Sequence, residues 1–352
     1  MNDSPLNLKV PKHIKKGDKV ALVTSSWGGP ATFTKKYNIG KQQLESYFNV
    51  QAIEMPHTLD SAENVYNNPN TRAKDLMQAF SDPEIRGIIS CIGGSDSIRM
   101  LPYIDYNIIK NNPKPFLGYS DSTITHFICL KAGIRSYYGP SIMAGFAENG
   151  GLFNYMKKSV QKTLFSNNTI GKIEPCTEGW VVKQYPWDKE ELFHKKRELQ
   201  PPMERELLLG SGKARGHLIG GCMESLEAIK ATPIWPSLES WCGAILFFET
   251  SEDSPSVTTV TDWLRNYAAQ GILGIINGII LARPGGECDE DNLKKQEEAF
   301  VDVIYGEYGL DIPILSRLDF GHTDPQFVIP YGARAEIDCK QKTFSILDSG
   351  CK

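Results

Sequence analysis

The chain has 352 residues, a length that allows about two domains of ordinary size. Hydrophobic residues make up 41% and charged residues 23% of the sequence, which is typical of a globular protein with a sizeable core. A net charge of −4 and the lack of any apolar run of about 20 residues argue against nucleic acid or a membrane as a partner.

The N-terminal residues 1–5 (MNDSP) carry no basic segment followed by an apolar one, so we expect no secretory signal and a cytoplasmic location. The cysteines are dispersed and form no C-x-x-C pair: Cys91, Cys129, Cys176, Cys222, Cys242, Cys288, Cys339 and Cys351. This usage favours reduced, mostly structural thiols over a disulfide framework or a zinc site. The six histidines are dispersed as well, and we expect neither a metal ion nor a cofactor.

Strand-like and helix-like segments alternate through the N-terminal part, which we define as residues 1–165. Short apolar runs predict strands at residues 19–25, 87–92 and 115–119. The sequence predicts helices at residues 35–48, 71–81, 97–105 and 122–131, with Pro102 limiting the third. This alternation predicts a parallel sheet with helices on both faces.

A polar segment, residues 166–205, is expected to link this part to the rest of the chain. Its charged run, residues 188–199 (DKEELFHKKREL), is typical of a solvated loop or a short helix. A binding patch is the less favoured interpretation of the same charges.

The C-terminal part, residues 206–352, alternates again and is expected to form a second α/β domain. Strands are predicted at residues 244–248, 275–282 and 312–315, and helices at residues 256–270 and 291–308. Short strands joined by turns are expected in the tail, residues 326–347.

Ser120 lies in the segment GYSDS (residues 118–122), between a predicted strand and a predicted helix. A nucleophile on such a turn projects beyond the sheet, and the helix N-terminus behind it favours negative charge. A serine at this position is also a common helix N-cap, as are Asp121 and Ser122. The motif alone therefore leaves both interpretations open.

A second strand–helix junction, IGGSDS at residues 92–97, contains Gly93 and Gly94. Glycines allow close backbone approach to a ligand and present N–H groups to it. The segment does not fit the G-x-G-x-x-G dinucleotide motif. It is either a tight turn or half of an oxyanion hole whose other half is the N–H group of Asp121.

Glu249 and His322 are candidates for the acid and the base that would accompany Ser120. Glu249 follows the apolar run AILFF, a poor place for a carboxylate that serves only solubility. The alternative is that Glu249 is an exposed strand-end residue, which the nearby Glu252 and Asp253 favour. His322 lies in the loop DFGHT and is either a base or a structural histidine. The rivals are His126, expected to point away from Ser120, and His217, expected to pack in the core.

The chain order Ser120, Glu249, His322 is one that α/β-hydrolase triads also use. Each of the three follows a predicted strand, and ligand sites in parallel sheets lie at the carboxyl ends of strands. One cleft could therefore collect all three side chains.

Five segments of the chain resemble the LD-carboxypeptidases and their microcin C immunity relatives. They are FLGYSDST (116–123), CIGGSDSIRMLPYID (91–105), GHLIGGCMESL (216–226), GAILFFET (243–250) and DFGHTDPQFVIPYGARAEID (319–338). The resemblance implies a catalytic triad of Ser120, Glu249 and His322, with an oxyanion hole from Gly93, Gly94 and Asp121. It also implies a flavodoxin-like N-terminal domain, a smaller C-terminal domain and a homodimer.

Within that family, IGGSDS followed by LPYID resembles the immunity branch, whose members cleave the amide between an aminoacyl group, often Asp or Glu, and a modified nucleotide. Many relatives carry Asn where this chain has Cys222. Trp180 and Trp187 in the polar segment could stack on the nucleobase or pack the domain junction. Ser95 is a third expected substrate contact.

Two other functions stay open at this point. The same chemistry could act on murein tetrapeptides and trim a terminal D-residue. A flavodoxin-like module that binds a small ligand without catalysis is the alternative from a different class.

Overall fold

The fold is described by a computed structural model that covers residues 6–286 and 289–352. The expectations for the N-terminal residues 1–5 and for Cys288 lie outside these ranges. In the described part, no helix is long and apolar enough to cross a lipid bilayer. The cysteines found there are free thiols, all of them buried except Cys242.

The strands of the two sheets are numbered in chain order. They are β1 (Lys19–Val23), β2 (Gln51–Glu54), β3 (Ile85–Ser90), β4 (Phe116–Gly118), β5 (Tyr137–Tyr138), β6 (Thr169–Ile173), β7 (Glu206–Leu209), β8 (Lys213–Cys222), β9 (Ile245–Glu249), β10 (Gly278–Ala282), β11 (Ile314–Leu318), β12 (Ile329–Pro330), β13 (Arg334–Asp338) and β14 (Thr343–Ser349).

The α-helices are α1 (Gly29–Thr32), α2 (Thr34–Phe48), α3 (Ala62–Asn67), α4 (Pro69–Ser81), α5 (Tyr106–Asn111), α6 (Ser122–Lys131), α7 (Asn154–Leu164), α8 (Met223–Ile229), α9 (Val257–Ala269) and α10 (Glu290–Val301). Residues Ser97–Tyr103 form a 3₁₀ helix rather than an α-helix. The long helix expected at residues 291–308 is α10 followed by a π-helical segment, Asp302–Glu307.

The first sheet has the strand order β2-β1-β3-β4-β5, with β12 added antiparallel to β5. Its first five strands are parallel, and this order is the one that defines a flavodoxin-like sheet. Strand β1 (KVALV) is apolar, as expected for a strand buried on both faces: Ala21 and Val23 pack in one hydrophobic cluster, and Val20 and Leu22 pack in another. The expectation of a parallel sheet in an α/β fold is confirmed.

The second sheet has the order β6-β14-β13-β8-β9-β10-β11-β7. Strands β8 to β11 are parallel at its centre, and antiparallel strands complete both edges. The polar segment expected to be a linker supplies β6 to this sheet, and the C-terminal part returns β12 to the first sheet. The chain therefore crosses between the two sheets more than once.

Both sheets present strand ends to the site described below. Strand β4 ends two residues before Ser120, whereas β9 ends at Glu249. The strand expected at residues 312–315 begins two residues later, as β11, and ends four residues before His322. Because carboxyl ends of parallel strands share one edge of a sheet, β9 and β11 bring Glu249 and His322 together.

Candidate active site

Ser120 occupies the sharp turn between β4 and α6. Its φ of 61° is in the left-handed region, which a residue with a side chain adopts only at an energetic cost. The backbone N–H of Ser120 donates a hydrogen bond to the hydroxyl of Tyr138 at 3.1 Å, which helps to hold this conformation. A strained serine between a strand and a helix is the geometry of a nucleophile elbow.

Gly93 lies directly against Ser120. A Cβ atom at Gly93 would come within 2.8 Å of the Ser120 Cβ and 3.4 Å of the Asp121 nitrogen, so the close approach requires glycine. Among the described residues, the N–H groups of Gly93 and Asp121 have no hydrogen-bond partner. Two unsatisfied donors next to the Ser120 hydroxyl form a candidate oxyanion hole.

The side chain of Asp121 ties these two segments together. Its buried carboxylate accepts hydrogen bonds from the Ser26 hydroxyl at 2.6 Å and the Ser97 N–H at 2.9 Å. Burial raises the pKa of Asp121, although these hydrogen bonds oppose the shift. Gly94 lines the cavity beside the serine, whereas Ser95 is exposed and does not.

Glu249 and His322 form a short hydrogen bond. The Nδ1 atom of His322 lies 2.6 Å from a Glu249 carboxylate oxygen, which also accepts the His322 backbone N–H at 3.2 Å. Gly321, at φ 77°, allows this approach because a Cβ there would lie 2.6 Å from the Glu249 side chain. The side chain of Glu249 is fully buried. With Nδ1 held in this way, Nε2 is the atom left to act on a substrate or a nucleophile.

Glu252 contributes a second carboxylate, 3.2 Å from the Nε2 atom of His322. Burial disfavours the imidazolium, but Glu249 and Glu252 outweigh that effect and raise the pKa of His322 from 6.5 to about 9. The edge of the imidazole also contacts the ring of Tyr119, with 4.9 Å between ring centroids. The free protein therefore holds His322 largely protonated at neutral pH.

The two rival histidines have structural partners. His126 is fully buried and bonds the Gly118 carbonyl and the Ser136 hydroxyl, each at 2.9 Å. His217 is buried and bonds the Ser240 carbonyl at 2.8 Å. Neither lines the cavity that contains Ser120.

A cavity of about 520 Å³ contains Ser120 and His322 together. Its walls combine glycine-rich backbone, aromatic rings and a few charged groups: Trp27, Gly93, Gly94, Tyr119, Lys183, Trp187, Glu252, Gly285 and Gly286 are among them. The indole of Trp187 packs on Trp27, with 6.2 Å between centroids and a 30° tilt, and meets the edge of Phe33. One side of the cavity is therefore an aromatic wall.

Trp180 lies elsewhere. Only 8% of it is exposed, and the guanidinium of Arg283 stacks over its ring at 5.2 Å. It does not line the cavity that contains Ser120. Of the three substrate contacts expected from the sequence, only Trp187 reaches this cavity.

One group of side chains in the described part of the chain has donor atoms close enough together to bind a metal ion. The donor atoms of Cys222, Glu249 and His322 lie within 4.8 Å of one another. The Nδ1–Glu249 hydrogen bond accounts for two of them, and burial raises the pKa of the Cys222 thiol, which keeps it protonated. The donors therefore fit a hydrogen-bonded acid–base pair better than a resident ion.

Three groups in this site carry no signal that the sequence could reveal. Tyr138 contacts Ser120 only because β5 lies next to β4 in the first sheet. Trp27 enters the cavity from the loop after β1, which looks like an ordinary turn in the sequence. Glu252 looks in the sequence like an ordinary acidic loop residue, and its side chain is 74% exposed, yet it reaches Nε2 of His322.

The fold agrees with the comparison to known families. Residues 20–139 match the LD-carboxypeptidase N-terminal domain and residues 215–337 match the LD-carboxypeptidase C-terminal domain. The chain belongs to this family of peptidases and is therefore a serine hydrolase.

Individual relatives match most of the chain. A putative carboxypeptidase of Vibrio cholerae is 27% identical over 97% of this chain and 98% of its own. The microcin C7 self-immunity protein MccF of Escherichia coli is 28% identical over 79% of this chain and 78% of its own.

Solved structures resemble the whole chain. An MccF-like protein from Streptococcus pneumoniae in complex with AMP has a TM-score of 0.85 and 28% identity, covering 94% of this chain and 98% of its own. MccF in complex with aspartyl sulfamoyl adenosine has a TM-score of 0.85 and 26% identity, covering 98% of this chain and 100% of its own.

Proposed function

We propose that this protein is a serine amidase that hydrolyses the amide between an acidic aminoacyl group and a modified nucleotide, and so gives immunity to microcin C-type compounds. The observation that carries the proposal is the shared cavity. Ser120 and His322 lie in it beside an aromatic wall of Trp27 and Trp187. This arrangement supports a reactive centre and a platform for a nucleobase in one binding site.

In the proposed mechanism, the Ser120 hydroxyl attacks the acyl carbonyl while Nε2 of His322 accepts its proton. Glu249 fixes the imidazole through Nδ1 and stabilises the imidazolium. The N–H groups of Gly93 and Asp121 stabilise the oxyanion, and the loss of one such donor typically costs about 3 kcal/mol. His322 then protonates the leaving nitrogen, and water cleaves the acyl-enzyme by the reverse sequence.

The nucleotide half of the substrate is supported by the aromatic wall and by the ligands of related structures. Stacking of a base on an aromatic side chain contributes about 1–3 kcal/mol and tolerates different bases. The S. pneumoniae relative holds AMP, and MccF holds aspartyl sulfamoyl adenosine.

The acidic acyl group is supported by the charge of the cavity wall. Lys183 lines the same cavity as Ser120, and a lysine is a suitable type of residue to bind a side-chain carboxylate. The ligand of MccF is an aspartyl compound, which has such a carboxylate.

Murein tetrapeptide carboxypeptidase activity is the second candidate, and the match to both LD-carboxypeptidase domains favours it. The two candidate activities are distinguished by measuring, with the same purified protein, the rates at which it hydrolyses aspartyl sulfamoyl adenosine and a murein tetrapeptide. We expect a kcat/KM at least about 100-fold higher for the nucleotide compound. A preference for the tetrapeptide would assign the protein to murein turnover instead.

A further inference from the structure

Glu252 is a carboxylate that the proposed acyl-transfer steps do not use. It lies three residues beyond Glu249 but differs from it in its exposure to solvent and in the nitrogen of His322 that it contacts. Glu249 is buried and bonds Nδ1 of His322, whereas the Glu252 side chain is 74% exposed, lines the cavity and lies 3.2 Å from Nε2. Within residues 6–286 and 289–352, the ion-pair partner of Glu252 is His322.

The contact between Glu252 and Nε2 is incompatible with catalysis. General-base action requires Nε2 to accept the proton of the Ser120 hydroxyl. When Nε2 carries a proton and donates it in a hydrogen bond to Glu252, it cannot accept a second proton from Ser120. During turnover the Glu252 carboxylate must therefore release Nε2, and a substrate that covers this carboxylate must then supply a cation as its new partner.

An aminoacyl substrate supplies that cation at the correct place. Its α-nitrogen is bonded to the carbon next to the reacting carbonyl, about 2.5 Å from the carbonyl carbon by standard bond lengths and angles. The carbonyl must lie against Ser120, within reach of Nε2. A carboxylate one hydrogen bond from Nε2 is then also within reach of the α-ammonium group.

We propose that Glu252 binds the free α-ammonium group of the substrate, and that this binding frees Nε2 of His322 to act on Ser120. This inference rests on the proposed function and restricts its substrates to compounds with a free α-amino group. In a peptide, the residue on the acyl side of the terminal bond has an uncharged amide in place of the ammonium. Glu252 thus selects a single aminoacyl group over a peptide chain.

The electrostatic environment of His322 supports this exchange. The charged groups that act on it are the carboxylates of Glu249, Glu252 and Glu224, and the Tyr119 ring packs against its edge. When an ammonium group neutralises Glu252, one of the groups that raise the pKa of His322 is lost. The acid limb of kcat, which reports the substrate complex, should therefore lie at lower pH than the acid limb of kcat/KM.

The test compares aspartyl sulfamoyl adenosine with succinyl sulfamoyl adenosine, which lacks only the α-amino group. Wild-type protein should prefer the aspartyl compound by about 10- to 100-fold in kcat/KM, the usual size of a charged hydrogen bond. Glu252→Gln should reduce that preference to less than about threefold, and Glu252→Asp should restore part of it. Asp253→Asn, at the exposed neighbouring residue, should keep the wild-type preference.

The outcomes separate the two proposals. If wild type hydrolyses both compounds equally well, or if Glu252→Gln keeps the preference, Glu252 does not bind the ammonium group and the proposed function stands. If wild type hydrolyses neither compound, the proposed function and the role of Glu252 are both overturned.

Discussion

The hydroxyl of Tyr138 donates a hydrogen bond to the carboxylate of Glu249 and at the same time accepts one from the backbone N–H of Ser120. Burial raises the pKa of Tyr138 well above its ordinary value, so the phenol stays a proton donor to Glu249. One side chain of the first sheet thus connects the proposed nucleophile with the acid at the end of β9. The relative position of the two groups does not depend on surface loops alone.

Replacement of Glu249 should impair catalysis on every substrate. In Glu249→Gln a neutral amide cannot stabilise the imidazolium and can hold the wrong imidazole tautomer, so kcat should fall about 10²- to 10⁴-fold. The measurement is steady-state hydrolysis of the aspartyl and succinyl compounds, with Glu252→Gln as the matched control. We expect Glu249→Gln to slow both and Glu252→Gln to slow mainly the aspartyl compound. Near-normal rates for Glu249→Gln would remove this residue from the triad.

The pH dependence of activity should report His322. Its pKa of about 9 in the free protein means that the neutral base is scarce at pH 7. For the succinyl compound, which has no amino group that titrates in this range, kcat/KM should therefore rise with pH toward a midpoint near 9. Glu252→Gln removes one of the charges that raise this pKa and should shift the midpoint to lower pH. A midpoint near 6.5 in both proteins would show that the carboxylates do not act on His322.

The same shift predicts how stability changes with pH. The pKa of His322 is raised above its ordinary value of 6.5, so the ion pair contributes fully to stability below about pH 6.5. That contribution is lost as the pH rises through about 9. The free energy of unfolding, measured by denaturant titration, should therefore differ less between wild type and Glu249→Gln as the pH rises from about 6.5 to about 9. A difference that grows with pH would contradict the assignment.

The two tryptophans of the polar segment should respond differently to truncation. Trp187→Ala removes a ring from the cavity wall, and the loss of about 1–3 kcal/mol of stacking should raise KM roughly five- to two-hundred-fold with little change in kcat. Trp180→Ala removes a buried ring that packs on Arg283 and should lower stability by about 3–5 kcal/mol instead. Kinetics and thermal melting of both variants test this. An unchanged KM in Trp187→Ala would rule out stacking.

Arg197 should be important for stability, although it lies in a charged run that looks solvated. Only 5% of it is exposed, and its guanidinium bonds Glu148 at 3.0 Å and Asp324 at 2.7 Å. Arg197→Ala removes the ion-pair partner of two buried carboxylates, which should cost about 3–5 kcal/mol. The exposed pair of Arg265 with Glu307 is the control, and Arg265→Ala should not change the unfolding midpoint measurably. Equal effects of the two substitutions would contradict a stabilising role for the buried cluster.

Much of the first sheet could be predicted because each of its strands is a short apolar run that ends in a turn. Ser120, Glu249 and His322 could be placed together for the same reason, since each follows such a strand. Tyr138 and Glu252 could not, because no motif marks them: Tyr138 reaches Ser120 through the pairing of β5 with β4, and Glu252 reaches His322 although its side chain is 74% exposed. Trp180 and Trp187 look alike in the sequence, but Trp180 is buried under Arg283 whereas Trp187 packs on Trp27 in the cavity wall.

The most direct test of the central claim is the rate at which wild type and Ser120→Ala hydrolyse aspartyl sulfamoyl adenosine to aspartate and sulfamoyl adenosine. Because attack on the carbonyl requires the Ser120 hydroxyl, we predict rapid hydrolysis by wild type. We also predict a loss of at least about 10³-fold in Ser120→Ala, with the melting temperature unchanged. Hydrolysis by Ser120→Ala at the wild-type rate, or none by wild type, would contradict the claim that Ser120 carries this reaction.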